Sequence, residues 1–101
     1  MLTSDAVISK LKSDKQILKS LHLSGIGLFG STARGDNTEK SDLDFLVDYE
    51  DGFKDFRNLM KVADYLEENF GENIDIVTKE SLSPYIYSCI IKDIKYVQVI
   101  D

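Results

Sequence analysis

Two hydrophobic rhythms divide the chain. Apolar residues at helical spacing (Val7, Ile8, Leu11, Ile17, Leu18, Leu21) run from residue 4 to 21 and are interrupted at Ser13-Asp14. Ser13 with Gln16 three residues later has the capping-box pattern, so the stretch predicts two short helices. The run Gly25-Ile26-Gly27-Leu28-Phe29 then predicts a first strand, and strand alternation over residues 42–48 predicts a second. Phe53, Phe56, Leu59, Met60, Ala63, Leu66 and Phe70 mark an amphipathic helix of about 17 residues, stopped by Gly71, whose aromatic stripe is expected to pack on the sheet. A third strand is expected over 74–78, a helix from Pro84 to about Asp93, and a closing strand at Tyr96 to Ile100. Helices alternating with strands imply an α/β fold, a small sheet with helices packed against it. No repeat, linker or low-complexity segment breaks the pattern.

The chemistry concentrates where the first two strands end and begin. Gly30-Ser31 directly follows the first strand, ten residues intervene, and Asp42-Leu43-Asp44 opens the second. Residues two apart on a strand share a face, so Asp42 and Asp44 project together while Leu43, Phe45 and Val47 point into the core. Two adjacent carboxylates repel each other, and a divalent cation removes that cost. Mg²⁺ suits them because it takes oxygen ligands, one or two carboxylates together with substrate phosphates. Gly30 lets backbone approach a phosphate, Ser31 opens a short helix whose N–H groups favour anions, and Arg34 presents a guanidinium fork one turn on. Such equipment fits nucleotidyl or phosphoryl transfer without a protein nucleophile.

Asp75, a lone charge within Asn73-Ile74-Asp75-Ile76-Val77, is the candidate third carboxylate. At the roughly 5 Å spacing of neighbouring strands it stands beside Asp44 if the two strands pair. The alternative is an edge aspartate facing water. Asp48 shares the parity of Asp42 and Asp44 but lies roughly 13 Å beyond Asp44, out of a shared metal's reach. With Glu50 and Asp51 it reads as a solvated acidic loop.

Composition narrows the function. The 101 residues suffice for one core and are expected to form a single domain over residues 1–101. A net charge of −6 and a pI near 4.7, with no basic stripe, argue against a polymerase acting on DNA or RNA and agree with docking onto a basic protein. The single cysteine, Cys89, excludes an internal disulfide and a multi-cysteine zinc site, and its apolar surroundings from Ile86 to Ile91 predict a small core residue. His22, the only histidine, has no ligand partner at useful spacing and reads as structural. Without a signal peptide, lipidation signal or membrane-length apolar run, the expected location is the cytoplasm.

The Gly-Ser, ten-residue gap and Asp-x-Asp pattern resembles the minimal nucleotidyltransferase (MNT) family of the DNA polymerase β superfamily, with Gly30, Ser31, Asp42, Asp44 and Asp75 on the family's positions. The similarity takes in the Ala33-Arg34-Gly35-Asp36 run and a C-terminal Pro84-Tyr85-Ile86 before an apolar strand. Thr32 stands where the family often carries an aromatic residue. The resemblance implies a small mixed β-sheet of the polymerase β-like kind and two Mg²⁺ ions held by Asp42, Asp44 and Asp75. It further implies ATP as donor, with Gly30, Ser31 and Arg34 on its phosphates. Small members of this kind resemble the antitoxin half of HEPN/MNT toxin–antitoxin pairs. Such antitoxins move AMP from ATP to a tyrosine of a HEPN-domain ribonuclease toxin and silence it. A hetero-oligomer with that toxin is therefore expected, with no direct nucleic-acid or membrane binding. Two other accounts compete: a small-molecule nucleotidyltransferase, for which the chain lacks a helical acceptor domain, and a binding-only antitoxin with a vestigial site. Five tyrosines, Tyr49, Tyr65, Tyr85, Tyr87 and Tyr96, also permit self-modification.

Overall fold

A computed structural model describes residues 2–100. Helix α1 (Ser4–Ser13) starts where the Thr3 hydroxyl accepts the Ala6 N–H at 3.2 Å. Helix α2 (Lys15–Ser20) follows after Asp14. The expected capping box at Ser13 does not form, because Ser13 is the last residue of α1 and its hydroxyl donates to the Lys10 carbonyl at 2.8 Å. His22 then turns the chain at φ 67°, in the left-handed region. Its ring stacks on Phe53 with centroids 4.0 Å apart, which gives it a structural place.

Strands β1 (Leu23–Phe29) and β2 (Leu43–Tyr49) are antiparallel, with the five-residue helix α3 (Gly30–Arg34) and a polar loop between them. Helix α4 (Phe56–Phe70) carries the chain across to β3 (Ile74–Thr78), which runs parallel to β2, a pairing that needs a crossover of this length. A 3₁₀ turn (Lys79–Ser81) leads to α5 (Pro84–Ile90), with Ser83 as N-cap, and β4 (Lys95–Gln98) closes antiparallel to β1. The sheet is mixed, in the order β3-β2-β1-β4. The 3₁₀ turn was not foreseen; Ser81 ties it down by accepting the Thr78 N–H and donating to the Thr78 carbonyl.

One face of the sheet is sealed. Ile26, Leu28, Phe45, Val47 and Val97 meet Val7 and Leu11 of α1, Leu18 of α2, and Val62, Tyr65 and Leu66 of α4. Each large side chain buried this way stabilises the fold by about 1.5–3 kcal/mol. The opposite face carries Asp44, Leu46 and Asp48 in alternation with that core set. There, Gly25 and Gly27 leave room for the Tyr96 ring, whose hydroxyl donates to Asp48 Oδ2 at 2.7 Å. Asp48 therefore lies within β2 and not in a solvated loop, since the strand extends one residue past it.

The expected packing of the stripe holds for Leu66 and for Phe70, whose ring lies 5.8 Å from that of Phe45, and needs correction elsewhere. The buried residues of α4 are Asn58, Val62, Tyr65 and Leu66, whereas Phe56 and Met60, and Phe53 ahead of the helix, are exposed, Phe56 by 77%. The N-cap decides this rotation. Asp55 accepts the Asn58 N–H at 2.8 Å, and Asn58 Nδ2 donates to the Phe53 carbonyl at 2.7 Å, holding Asn58 inward. At 3.6 residues per turn Phe56 then lies about 200° away from it.

Candidate active site

The site grows from the open sheet face at the end of β1. Phe29 leads into Gly30, which takes φ 75° and begins α3 with no side chain capping its first turn. This leaves N–H groups directed outward beside Ser31. Gly35 ends the helix at φ 84°, its N–H reaching the Ser31 carbonyl at 2.9 Å. A methyl at Gly30 would run into Asp44 Oδ2 and come within 3.1 Å of Asp44 Cγ. The absent side chain is what lets the turn and the carboxylate touch.

Register brings the acids together. Phe29 pairs with Asp44 across β1 and β2, and Asp44 pairs with Asp75 across β2 and β3. Asp75 lies on the exposed edge strand, so it is accessible while standing beside Asp44. Asp42 sits in the loop just ahead of β2. Partial burial, and then the Asp75 and Asp42 charges, push the Asp44 carboxyl up to about 6, with Arg34 opposing them. Among the described residues no three carboxylate, imidazole or thiolate side chains, Asp42, Asp44 and Asp75 included, are gathered closely enough to hold a metal ion between them. The arrangement is a carboxylate pair with a third acid nearby. That donor set fits a cation such as Mg²⁺, which completes its shell with substrate phosphate and water.

Arg34 reaches over the same ground. Its Nε contacts Asp36 Oδ2 at 3.2 Å, and one terminal nitrogen lies 3.9 Å from Asp93 Oδ2. A cavity of about 310 Å³ opens between Gly30 and Arg34 on one side and Ile86, Cys89, Ile90 and Asp93 on the other. Cys89, expected in the core, is exposed at this cavity, because α5 turns its Ile86–Cys89–Ile90 ridge toward α3. The apolar run from Ile86 to Ile91 is visible in the sequence, and its i, i+3, i+4 spacing after Pro84 marks a helical ridge, but nothing local sets that ridge and Asp93 against Gly30 and Arg34. Thr32 is buried within α3 and lines a second cavity of about 170 Å³ together with Leu43 and Phe70, and among the described residues its hydroxyl has no hydrogen-bond partner.

Residues 11–97 match the nucleotidyltransferase domain family. A candidate protein adenylyltransferase of Methanocaldococcus jannaschii is 37% identical over 96% of this chain and 100% of its own length. The protein adenylyltransferase MntA of Thermococcus cleftensis is 35% identical over 96% of this chain and 98% of its own. Among solved structures, a candidate minimal nucleotidyltransferase superposes with TM-score 0.78 at 24% identity, covering 93% of this chain and 95% of that one. A Y104A variant of the MntA–HpeT toxin–antitoxin superposes with TM-score 0.62 at 25% identity, covering 96% of this chain and 72% of that one. With the mixed sheet, the Gly-Ser turn and the facing aspartates in place, the chain belongs to the nucleotidyltransferase domain family.

Proposed function

We propose that this protein is an antitoxin-type adenylyltransferase that moves AMP from ATP to a tyrosine of a HEPN-domain ribonuclease toxin and so neutralises it. The observation that carries the reading is the Asp44–Asp75 pair set against Gly30, with the Asp44 carboxyl raised to about 6 by burial and neighbouring charge. Support for a protein acceptor comes from the two adenylyltransferase relatives of equal length, and for a toxin partner from the MntA–HpeT neighbour.

In this reading Asp42, Asp44 and Asp75 would hold two Mg²⁺ ions, which would supply offsetting positive charge to the phosphates. The N–H groups at Gly30 and Ser31 bind the triphosphate, and Arg34 exchanges its contacts with Asp36 and Asp93 for phosphate oxygens. The incoming tyrosine hydroxyl forms the new O–P bond at the α-phosphate while the bond to the departing pyrophosphate breaks, in line with it. Asp75, the accessible carboxylate of the pair, accepts the hydroxyl proton. The exposed edge at β3 leaves room for an acceptor on another protein. Its expected setting is the cytoplasm, and no described helix is long and apolar enough to cross a membrane.

The test incubates the purified protein with labelled ATP, Mg²⁺ and the HEPN-domain protein encoded beside it. Label on the partner, with a mass increase of one adenylyl group per modified tyrosine and loss of both in Asp42→Ala/Asp44→Ala, is expected. An unmodified but inhibited partner would instead establish binding-only neutralisation.

A further inference from the structure

The outer face of α4 carries charges in an order that no ion pair among the described residues uses. Arg57, Lys61, Asp64 and Glu68 are all exposed and follow one another at steps of four, three and four, a single ridge along the helix. Two positive side chains are followed by two negative ones. Among the described residues none of the four joins an ion pair. Beside the ridge stand Phe56, 77% exposed, and Met60, 46% exposed.

We infer that this face is the contact between two copies of the chain, with their α4 helices antiparallel about a two-fold axis. The order of charges selects that occupant. In such a pairing a residue numbered n meets the one numbered 125 − n, so Arg57 faces Glu68 of the second copy and Lys61 faces Asp64 of the second copy. The same two pairs recur on the other side of the axis, as an isologous contact demands. A parallel pairing in register would set like charges against each other. The aliphatic stems of Arg57 and Lys61 can lie along the partner helix while their heads stay wet, and Phe56 and Met60 flank the ridge where they lose exposed apolar surface. Each copy has a net charge of −6, yet at physiological salt that repulsion is screened beyond about 8 Å, so the local order of charges governs contact. The carboxylates stand on the sheet face opposite α4, and the pairing leaves both sites open. The inference is independent of the reaction proposed above.

Charge exchange tests it by sedimentation equilibrium of the full chain. The parent is expected to form a dimer whose population rises with concentration. Arg57→Glu/Lys61→Glu, with an all-acidic ridge, and Asp64→Lys/Glu68→Lys, with an all-basic one, should each weaken self-association by at least about tenfold, since every pair turns repulsive. Mixing the two variants should restore a dimer containing one of each. Phe56→Ser should weaken the dimer with charges unchanged. All four substituted charges are exposed, so melting temperatures near the parent's are expected and distinguish lost contact from lost fold. A parent that stays monomeric to millimolar concentration, a dimer indifferent to these changes, or variants that do not associate when mixed would each overturn the assignment. A face needed only for a different protein would show as the first of these together with loss of that complex.

Discussion

Replacing Gly30 by alanine separates two effects that the structure superimposes at one position. Gly30 holds φ 75°, which costs an L-residue about 1–2 kcal/mol. Alanine also restricts the unfolded chain and returns about 0.4–1 kcal/mol. The net loss from strain is therefore about 1 kcal/mol, a fall in melting temperature of about 4–8 °C for a domain of this size. The added methyl, however, runs into Asp44 Oδ2 and comes within 3.1 Å of Cγ, so the carboxylate must move. A displacement of about 1 Å in a positioned reacting group costs on the order of 100-fold in rate. Gly35→Ala is the control, for it has φ 84° and nothing within 4 Å of the new methyl. It should lose similar stability and keep AMP transfer within a few-fold of the parent. Thermal melting paired with initial rates of AMP transfer reads both effects. Gly30→Ala with near-parental transfer would refute the requirement for close approach to Asp44. Equal loss of activity in Gly35→Ala would refute crowding as the cause.

Asp55→Ala removes the N-cap of α4 and should lower stability by about 1 kcal/mol in chemical denaturation, with transfer activity unchanged. Phe45→Ala, at a fully buried position in the middle of the sheet, should cost about 3–5 kcal/mol and leave a large unfolded fraction by circular dichroism. The Tyr65 hydroxyl, donating at 2.7 Å, and then Lys10 hold the Asp14 carboxyl below its ordinary 3.8. A folded-state value lowered in this way stabilises the protein above the ordinary value, and the contribution is lost as pH falls through the lowered one. Tyr65→Phe should thus be less stable than the parent at pH 7, with the gap narrowing below about pH 4 in urea titrations at stepped pH. Parallel curves for the two proteins would show that the hydroxyl does not set this acid limb.

The candidate site was readable because its parts are local. Gly30-Ser31 and Asp42-x-Asp44 lie within fifteen residues, and strand parity alone sets Asp44 apart from Leu43 and Phe45. The strands and helices were likewise visible in their periods, since burying one face of each is the same requirement that shapes the pattern. Errors arose where local signals competed. Ser13-x-x-Gln16 has the spacing of a cap, but the Ser13 hydroxyl is already committed to the Lys10 carbonyl. Phe56 and Met60 have the right hydrophobicity for a core, but the Asp55 cap, with Asn58 held inward, leaves them on the outer side of α4.

Element types, the Gly30-Ser31 turn and the positions of the candidate acidic residues follow from short-range order along the chain, where propensity and periodicity act. Which acid stands beside which does not. Asp75 meets Asp44 because β3 runs parallel to β2 in one particular register, and a slip by a single residue would have turned Asp75 to the other face. The cavity wall from α5, the Arg34–Asp93 contact and the outward face of α4 depend in the same way on how distant segments pack, and that is settled only when the core closes.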